Sequence, residues 1–142
     1  MKIKGYINYG YRPPAPFIAV MVSIKELAME AKIQFLIDTG ASSTIILWRD
    51  IERLRINVTR LRMRDKEFSG LGGLTRAKPT STTISFTSEN EELVKEETEA
   101  YVVSSPCPSP KLKFLPSILG RDVINEYNLN YSPKNNKVYL EK

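Results

Sequence analysis

An apolar run that ends in a carboxylate constrains this chain more than any other feature. Residues 35–37 (Phe-Leu-Ile) lead directly into Asp38 and Gly40, and the chain continues through small polar residues into a second apolar run at 45–47. An unpaired charge beside an apolar core is costly, so the carboxylate needs an explanation. Either Asp38 opens a tight turn by bonding its own backbone, with Gly40 in a left-handed conformation, or it performs chemistry at a strand end.

The residue inventory removes several classes of active site. The 142-residue chain contains no histidine and a single cysteine, Cys107. The absence of histidine excludes Ser-His and Cys-His catalytic arrangements and the usual zinc sites. A lone cysteine can form neither an internal disulfide nor a thiolate metal cluster. General acid–base chemistry would therefore come from Asp, Glu, Lys or Tyr, and we expect no metal and no other cofactor.

Positive charge is concentrated in one segment. The net charge is +5, and much of the excess lies between Arg49 and Lys66. This segment is either a solvated basic face or a surface for nucleic acid or an acidic partner. Neither a stacking-aromatic pattern nor a known nucleic-acid motif accompanies it, so we interpret it as a solvated face and expect no nucleic-acid partner.

The sequence shows no pattern typical of a membrane or secreted protein. Its longest strongly apolar run, residues 17–22, is far shorter than the ~20 residues that span a bilayer. The N-terminus has no apolar signal core. We therefore expect a cytoplasmic location and no membrane segment, and the sequence leaves open whether the chain is part of a longer protein.

The hydrophobic pattern predicts a mostly β domain with two short helices. Prolines among residues 12–16 exclude a helix there, so residues 1–15 are predicted to form an extended arm with one edge strand, before a single domain at 16–142. Residues 88–97 are polar and predict a loop. The predicted strands are 17–23, 31–37, 43–47, 56–66, 80–86, 98–103, 128–131 and 137–141, and the predicted helices are 48–54 and 122–127.

Two further motifs contain glycine. Gly70, Leu71, Gly72 and Gly73 indicate a hairpin tip, which is either a simple flexible turn or a lid whose bare backbone approaches a ligand. No Gly-Lys-Ser/Thr follows, so this is not a phosphate-binding loop. The second motif is apolar and runs into a short helix, where an acidic residue near the N-terminus suits the helix dipole. It consists of Ile118, Leu119, Gly120, Arg121 and Asp122.

These motifs, in this order and followed by a final hairpin, resemble the retropepsin-like aspartic proteases. That single-lobe family includes the retroviral proteases and cellular relatives, and the resemblance runs from about residue 16 to residue 140. It implies a mostly β, closed, barrel-like fold in which two chains form one enzyme. It also implies an aspartic endopeptidase that hydrolyses extended peptide or protein substrates. The chain has one Asp-Thr-Gly, so the second carboxylate of the catalytic pair would come from a homodimer partner.

The resemblance also implies roles for individual residues. Asp38 would be catalytic in both chains, with one copy ionised as general base and the other protonated. Thr39 would lock the two active-site loops together through its hydroxyl, and Gly40 would leave room for backbone N–H groups. The glycine hairpin at 70–73 would be the flap over the substrate. The motif at 118–122 would support the active-site loop from beneath, with Asp122 outside any catalytic position.

Two departures from the family pattern affect these expectations. Ala41 stands where many two-lobed acid proteases carry a serine that stabilises the carboxylate, which predicts activity at mildly rather than strongly acidic pH. Retroviral members carry acidic residues where this chain has Ser42 and Ser43, so Arg121 must find a different partner. The competing interpretation is a non-catalytic dimerisation or peptide-binding module with Asp38 in a structural turn, since a fold does not imply a function.

Overall fold

The structure, a computed structural model, describes residues 1–70 and 73–142 and consists mainly of β-strands. Within these residues the helices are α1 (Trp48–Leu54) and α2 (Arg121–Ile124), and four short 3-10 turns lie between strands. The strands are β1 (Lys2–Lys4), β2 (Tyr6–Asn8), β3 (Ala15–Ile24), β4 (Met29–Ile37), β5 (Ile45–Ile46), β6 (Lys66–Gly70), β7 (Gly73–Thr87), β8 (Leu93–Val103), β9 (Ile118–Leu119), β10 (Asn128–Ser132) and β11 (Lys137–Glu141).

The larger sheet closes on itself. Its strand order is β2-β3-β4-β9-β5-β8-β7-β6, and β3 also pairs with β7. Strands β3, β4, β9, β5, β8 and β7 therefore form a ring, and β2 and β6 are attached at its two ends. This closed, mostly β architecture with two short helices confirms the predicted fold class.

The core fills the inside of this ring. Alternate residues of β3 and β4 point inward, as expected where one face of a strand is buried. Ile18, Phe35 and Phe86 are among the largest side chains of this core, and all three are fully buried. Burying such aromatic and aliphatic side chains is the main favourable term in folding, and it gives the barrel a rigid centre.

The first and last segments of the chain lie together. β1 and β10 flank β11 in a separate three-stranded sheet, in which Ile3 faces Leu140 and both are buried. β2 pairs with β3 of the barrel. The N-terminal residues thus contribute a strand to each sheet, where the sequence predicted one edge strand. The division into an arm at 1–15 and a domain at 16–142 stays a prediction.

Two local predictions were wrong. The strand predicted at 56–66 does not form, because the Asn57 side chain accepts a hydrogen bond from the Thr59 N–H (3.1 Å) and starts a 3-10 turn at Val58–Arg60, and the next strand begins only at Lys66. The loop predicted at 88–97 ends early, since β8 begins at Leu93 and pairs with β7 along its whole length. That pairing overrides the low strand propensity of the glutamates in this segment.

The helices follow the predicted pattern more closely. α1 spans the predicted residues 48–54, and α2 is shorter than predicted because it ends at Ile124. Of the helices in the described residues, none has the length and apolarity needed to cross a membrane.

Candidate active site

Asp38 lies immediately beyond the end of β4. β4 runs parallel to β9, with Ile37 opposite Leu119. The ladder continues one step further, because the Asp38 N–H donates to the Leu119 carbonyl at 3.0 Å. The backbone of Asp38 is therefore fixed by the barrel, and its half-buried carboxylate stands at the strand end.

The turn after Asp38 is built on its side chain. The Gly40 N–H donates to Asp38 Oδ1 at 2.9 Å, and the Ala41 N–H donates to the Asp38 carbonyl at 3.2 Å. A Cβ at Gly40 would lie 3.1 Å from Asp38 Oδ1, so glycine permits the close approach. The left-handed conformation expected for Gly40 is not observed. The turn occupies one carboxylate oxygen, and no side chain or backbone group in the described residues donates to Oδ2.

The segment at 118–120 lies directly against this turn. Ile118 faces Leu36 on one side and Ile45 on the other, and Leu119 is fully buried. Gly120 packs on the backbone of Ser43, where an added Cβ would lie 2.5 Å from the carbonyl carbon. A side chain at this position would push the two segments apart.

Arg121 and Asp122 bind the same turn through different groups. The Arg121 N–H donates to the Ala41 carbonyl at 2.8 Å, and its guanidinium Nη1 donates to the Thr39 carbonyl at 2.7 Å. The partner of Arg121 in this chain is therefore backbone rather than a carboxylate. Asp122 accepts from the hydroxyls of Thr44 (2.8 Å) and Thr98 (2.7 Å), one on each oxygen, so its carboxylate is engaged in holding the fold.

Comparison with known proteins identifies this arrangement. A family model described as retroviral aspartyl protease matches residues 13–131. The chain belongs to this family. The family assignment confirms the resemblance seen in the sequence.

Solved structures of aspartic proteases are similar to this chain. A retropepsin-like aspartic protease from Rickettsia conorii is 18% identical, with a TM-score of 0.58 over 99% of this chain and 88% of that one. The match shows a shared fold. EIAV protease complexed with the inhibitor HBY-793 is 20% identical, with a TM-score of 0.43 over 79% of this chain and 86% of that one. No curated protein matches the sequence.

In this member of the retroviral aspartyl protease family, two groups of bonded polar residues were not predicted from the sequence. Thr44 both accepts from the Gly120 N–H (3.1 Å) and donates to Asp122. Asp50 and Ser117 are buried and bonded to each other at 2.6 Å. The spacing of the apolar residues in α1 could have placed Asp50 at the border of the buried face, but nothing in the sequence pairs it with a residue 67 positions away.

The hairpin predicted as the flap is described only in part. β6 and β7 pair as far as Gly70 and Gly73, and Leu71 and Gly72 lie outside the described residues. At the base of the hairpin, the Phe68 ring packs edge-on against Tyr101 with centroids 4.9 Å apart. This contact ties the hairpin to β8, the strand that pairs with β5 just after the Asp38 turn.

A cavity among the described residues lies along the smaller sheet rather than at Asp38. A cavity of about 420 Å³ is lined by residues of β1 and β11, including Lys4 and Val138, and does not reach Asp38. Over the described residues, no group of three Cys, Asp or Glu side chains is placed to hold a metal ion.

Proposed function

We propose that this chain is an aspartic endopeptidase that hydrolyses peptide bonds with a water held between two Asp38 carboxylates, one from each chain of a homodimer. The observation that carries the proposal is the state of the Asp38 side chain. Its Oδ1 is anchored by the Gly40 N–H at 2.9 Å, and its Oδ2 accepts nothing from the described residues. An oriented carboxylate with one unused oxygen is suited to binding a water.

The second carboxylate has to come from another chain. The three other aspartates are engaged elsewhere: Asp50 with Ser117 and two arginines, Asp122 with two threonines, and Asp65 with Ser104. Thr39 is exposed beside Asp38, where its hydroxyl is available to the equivalent turn of a partner. A two-fold axis at this turn would bring the two Asp38 carboxylates together.

The proposed reaction uses the pair as one acid and one base. Two carboxylates this close share a proton and titrate as a unit. The ionised Asp38 removes a proton from the water while the water oxygen attacks the scissile carbonyl carbon. The protonated Asp38 of the other chain polarises the carbonyl oxygen. When the carbon–nitrogen bond breaks, the Asp38 that took the proton from the water delivers it to the leaving nitrogen.

The hairpin of β6 and β7 would act as the flap. An extended peptide would lie between it and the Asp38 turn as an added strand, with side chains in alternate pockets. Closure of the hairpin would exclude bulk water from the dyad. The Phe68–Tyr101 contact supports this proposal because it gives the hairpin a fixed base beside the strand that follows the turn.

Peptide cleavage by the wild-type chain, Asp38→Asn and Asp65→Asn tests the proposal. We expect Asp38→Asn to lower kcat by about 10²–10⁴-fold, the range that general acid–base groups contribute. Asp65→Asn makes the same chemical change at an acid that is bonded to Ser104 rather than to the Asp38 turn, and it should keep wild-type activity. Specific activity should rise with protein concentration as sedimentation shows the dimer forming.

Two outcomes would contradict the proposal. If the wild type and Asp38→Asn are equally inert while both are folded dimers, the non-catalytic module becomes the better interpretation. Equal activity in both would mean that the cleavage arises elsewhere. An optimum below about pH 3 would contradict the mildly acidic activity expected from Ala41.

A further inference from the structure

Ser117 connects three segments of the barrel immediately before β9. Its carbonyl accepts from the Leu36 N–H of β4 at 2.9 Å. Its hydroxyl accepts from the Leu47 N–H at 3.0 Å and donates to Asp50 Oδ2 at 2.6 Å. The side chain is fully buried, so water cannot replace any of these bonds. The position of Ser117 therefore depends on its three protein partners.

Asp50 connects Ser117 to β4, the strand that pairs with β9. It is 1% exposed and forms ion pairs with Arg49 (2.8 Å) and Arg53 (3.2 Å). These arginines in turn donate to backbone carbonyls of β4, at Gln34 and Lys32 (2.8 Å each). The Asp50 carboxylate thus contacts β4 through the two arginines. It also binds Ser117, the residue just before β9.

We propose that Asp50 and Ser117 are positioning residues that set the register of β9 against β4 and so the placement of the Asp38 carboxylate. The bond from the Leu36 N–H to Ser117 and the bond from the Asp38 N–H to Leu119 are successive steps of one parallel ladder. A shift of Ser117 is passed through that ladder to Asp38. The catalytic part of this inference rests on the proposed function.

The expected catalytic effect follows from how strictly the pair of carboxylates must be aligned. A misplacement of about 1 Å from a change far from the reacting atoms can cost as much as 10²-fold in rate. Neither Asp50 nor Ser117 is placed to touch substrate, because both side chains are buried. Their loss should therefore lower kcat and leave KM nearly unchanged.

The test compares Ser117→Ala and Asp50→Asn with Asp65→Asn in the full chain, at a temperature where all are folded. Ser117→Ala is the milder change, since it deletes a single hydroxyl and keeps the ion pairs of Asp50. We expect both variants to reduce kcat about tenfold or more, within the range that misalignment produces. The double variant should lose less than the product of the two single effects, because both changes weaken the same Ser117–Asp50 bond.

Amide hydrogen exchange supplies a readout that does not depend on activity. In Ser117→Ala and Asp50→Asn, exchange at Leu36 and Asp38 should accelerate more than at core amides such as Val20 of β3, whereas Asp65→Asn should leave all three unchanged. Equal acceleration at every site would show a general loss of stability and overturn the proposal. Unchanged exchange with wild-type kcat would also overturn it.

The same measurements distinguish failure of this inference from failure of the proposed function. If the wild-type chain cleaves no peptide, the proposed function fails, and exchange at Leu36 and Asp38 still decides whether Asp50 and Ser117 set the register. If the wild type is active and exchange accelerates locally but kcat is unchanged, the register is not coupled to the Asp38 carboxylate and the inference fails alone.

Discussion

Asp38 and Asp50 lie at opposite ends of one short segment, and their carboxylates differ in burial and in the number of hydrogen bonds that they accept. Asp50 is buried, and both of its oxygens are bound by side chains. Asp38 is half-buried, and among the described residues its carboxylate accepts one bond, from the Gly40 N–H. A buried carboxylate must be fully paired to be tolerated, whereas one that reaches solvent can keep an oxygen unused.

The difference shows how a reactive group can be held without being neutralised. The backbone at Asp38 is fixed from both sides by Leu119 and by the turn, so its side chain needs few bonds of its own. The side-chain bonds are made instead by Asp50 and Asp122. This division suits a site that must be rigid yet chemically available.

Removing each carboxylate in turn gives the largest contrast in stability. Asp50→Ala leaves two arginines and the Ser117 hydroxyl without their shared partner, and we expect a loss of about 3 kcal/mol in the free energy of unfolding. The arginines retain contact with solvent, which keeps the loss near the lower end of the range for broken buried pairs. Asp38→Asn should change stability by at most about 0.5 kcal/mol. Urea unfolding measures both, and equal losses would contradict the comparison.

The two glycines of the site should also differ. Gly120→Ala would place a Cβ 2.5 Å from the Ser43 carbonyl carbon, so backbone has to move. We expect a cost of about 2 kcal/mol, typical of overpacking, together with reduced activity. At Gly40 the nearest atom is a side-chain oxygen at 3.1 Å, so Gly40→Ala should cost less stability. Thermal unfolding of the two variants tests this, and a larger loss at Gly40 would show that the turn is the more tightly packed side.

Substituting the threonines that bind Asp122 should have a smaller effect on the free energy of unfolding. Thr44→Val removes two bonds, one from the Gly120 N–H and one to Asp122, whereas Thr98→Val removes only one. We expect losses of about 2 and about 1 kcal/mol, because a buried group left unsatisfied costs more than an exposed one. Thr44 is buried and Thr98 is half-buried. Chemical denaturation of both variants would contradict this ranking if Thr98→Val proved the more damaging.

The sequence allowed most of the strands and the Asp38 turn to be predicted because their signals are local, whereas closure of the sheet was implied by the family resemblance. An apolar run ending at Asp38 predicts a strand end, and the glycine that follows predicts a tight turn. The bond from Asp50 to Ser117 could not be predicted in this way, since it joins residues that only the closed sheet brings together. The same holds for Thr98, whose partner Asp122 lies 24 positions away.

Local signals also failed where a side chain or a neighbouring strand decided the outcome. Alternation at 56–66 predicted a strand, but the Asn57 side chain supplied a competing hydrogen bond that favours a turn. The glutamates of β8 predicted a loop, yet they lie in a long antiparallel pair in which Glu97 and Glu99 are exposed and Glu96 is partly buried. Cross-strand contacts such as Thr83 with Glu97 contribute there, and they depend on the fold being formed.

Glu96 is an acid that differs from both Asp38 and Asp50. Its contribution to the free energy of unfolding should be the smallest of those considered, and it should depend on pH. Partial burial opposes its ionisation, but hydrogen bonds from Tyr127 (2.6 Å) and Lys142 (2.9 Å) outweigh this and lower the pKa of Glu96. A carboxyl whose pKa is lower in the folded state stabilises the protein above its unfolded-state pKa, and that stability is lost as pH falls through the folded-state pKa.

Glu96→Gln should therefore be less stable than the wild type at pH 7, and the difference should shrink as pH is lowered below the ordinary pKa of a glutamate. Denaturant unfolding measures this difference in stability from pH 7 to about pH 3, a range that includes the ordinary pKa of glutamate. Glu99→Gln, at an exposed position of the same strand, is the matched control. A constant difference across this range would mean that Glu96 stabilises through packing rather than charge. Cleavage activity at pH 7 should be unchanged in both variants, because Glu96 bonds to Tyr127 and Lys142 rather than to the Asp38 turn, and Glu99 is exposed.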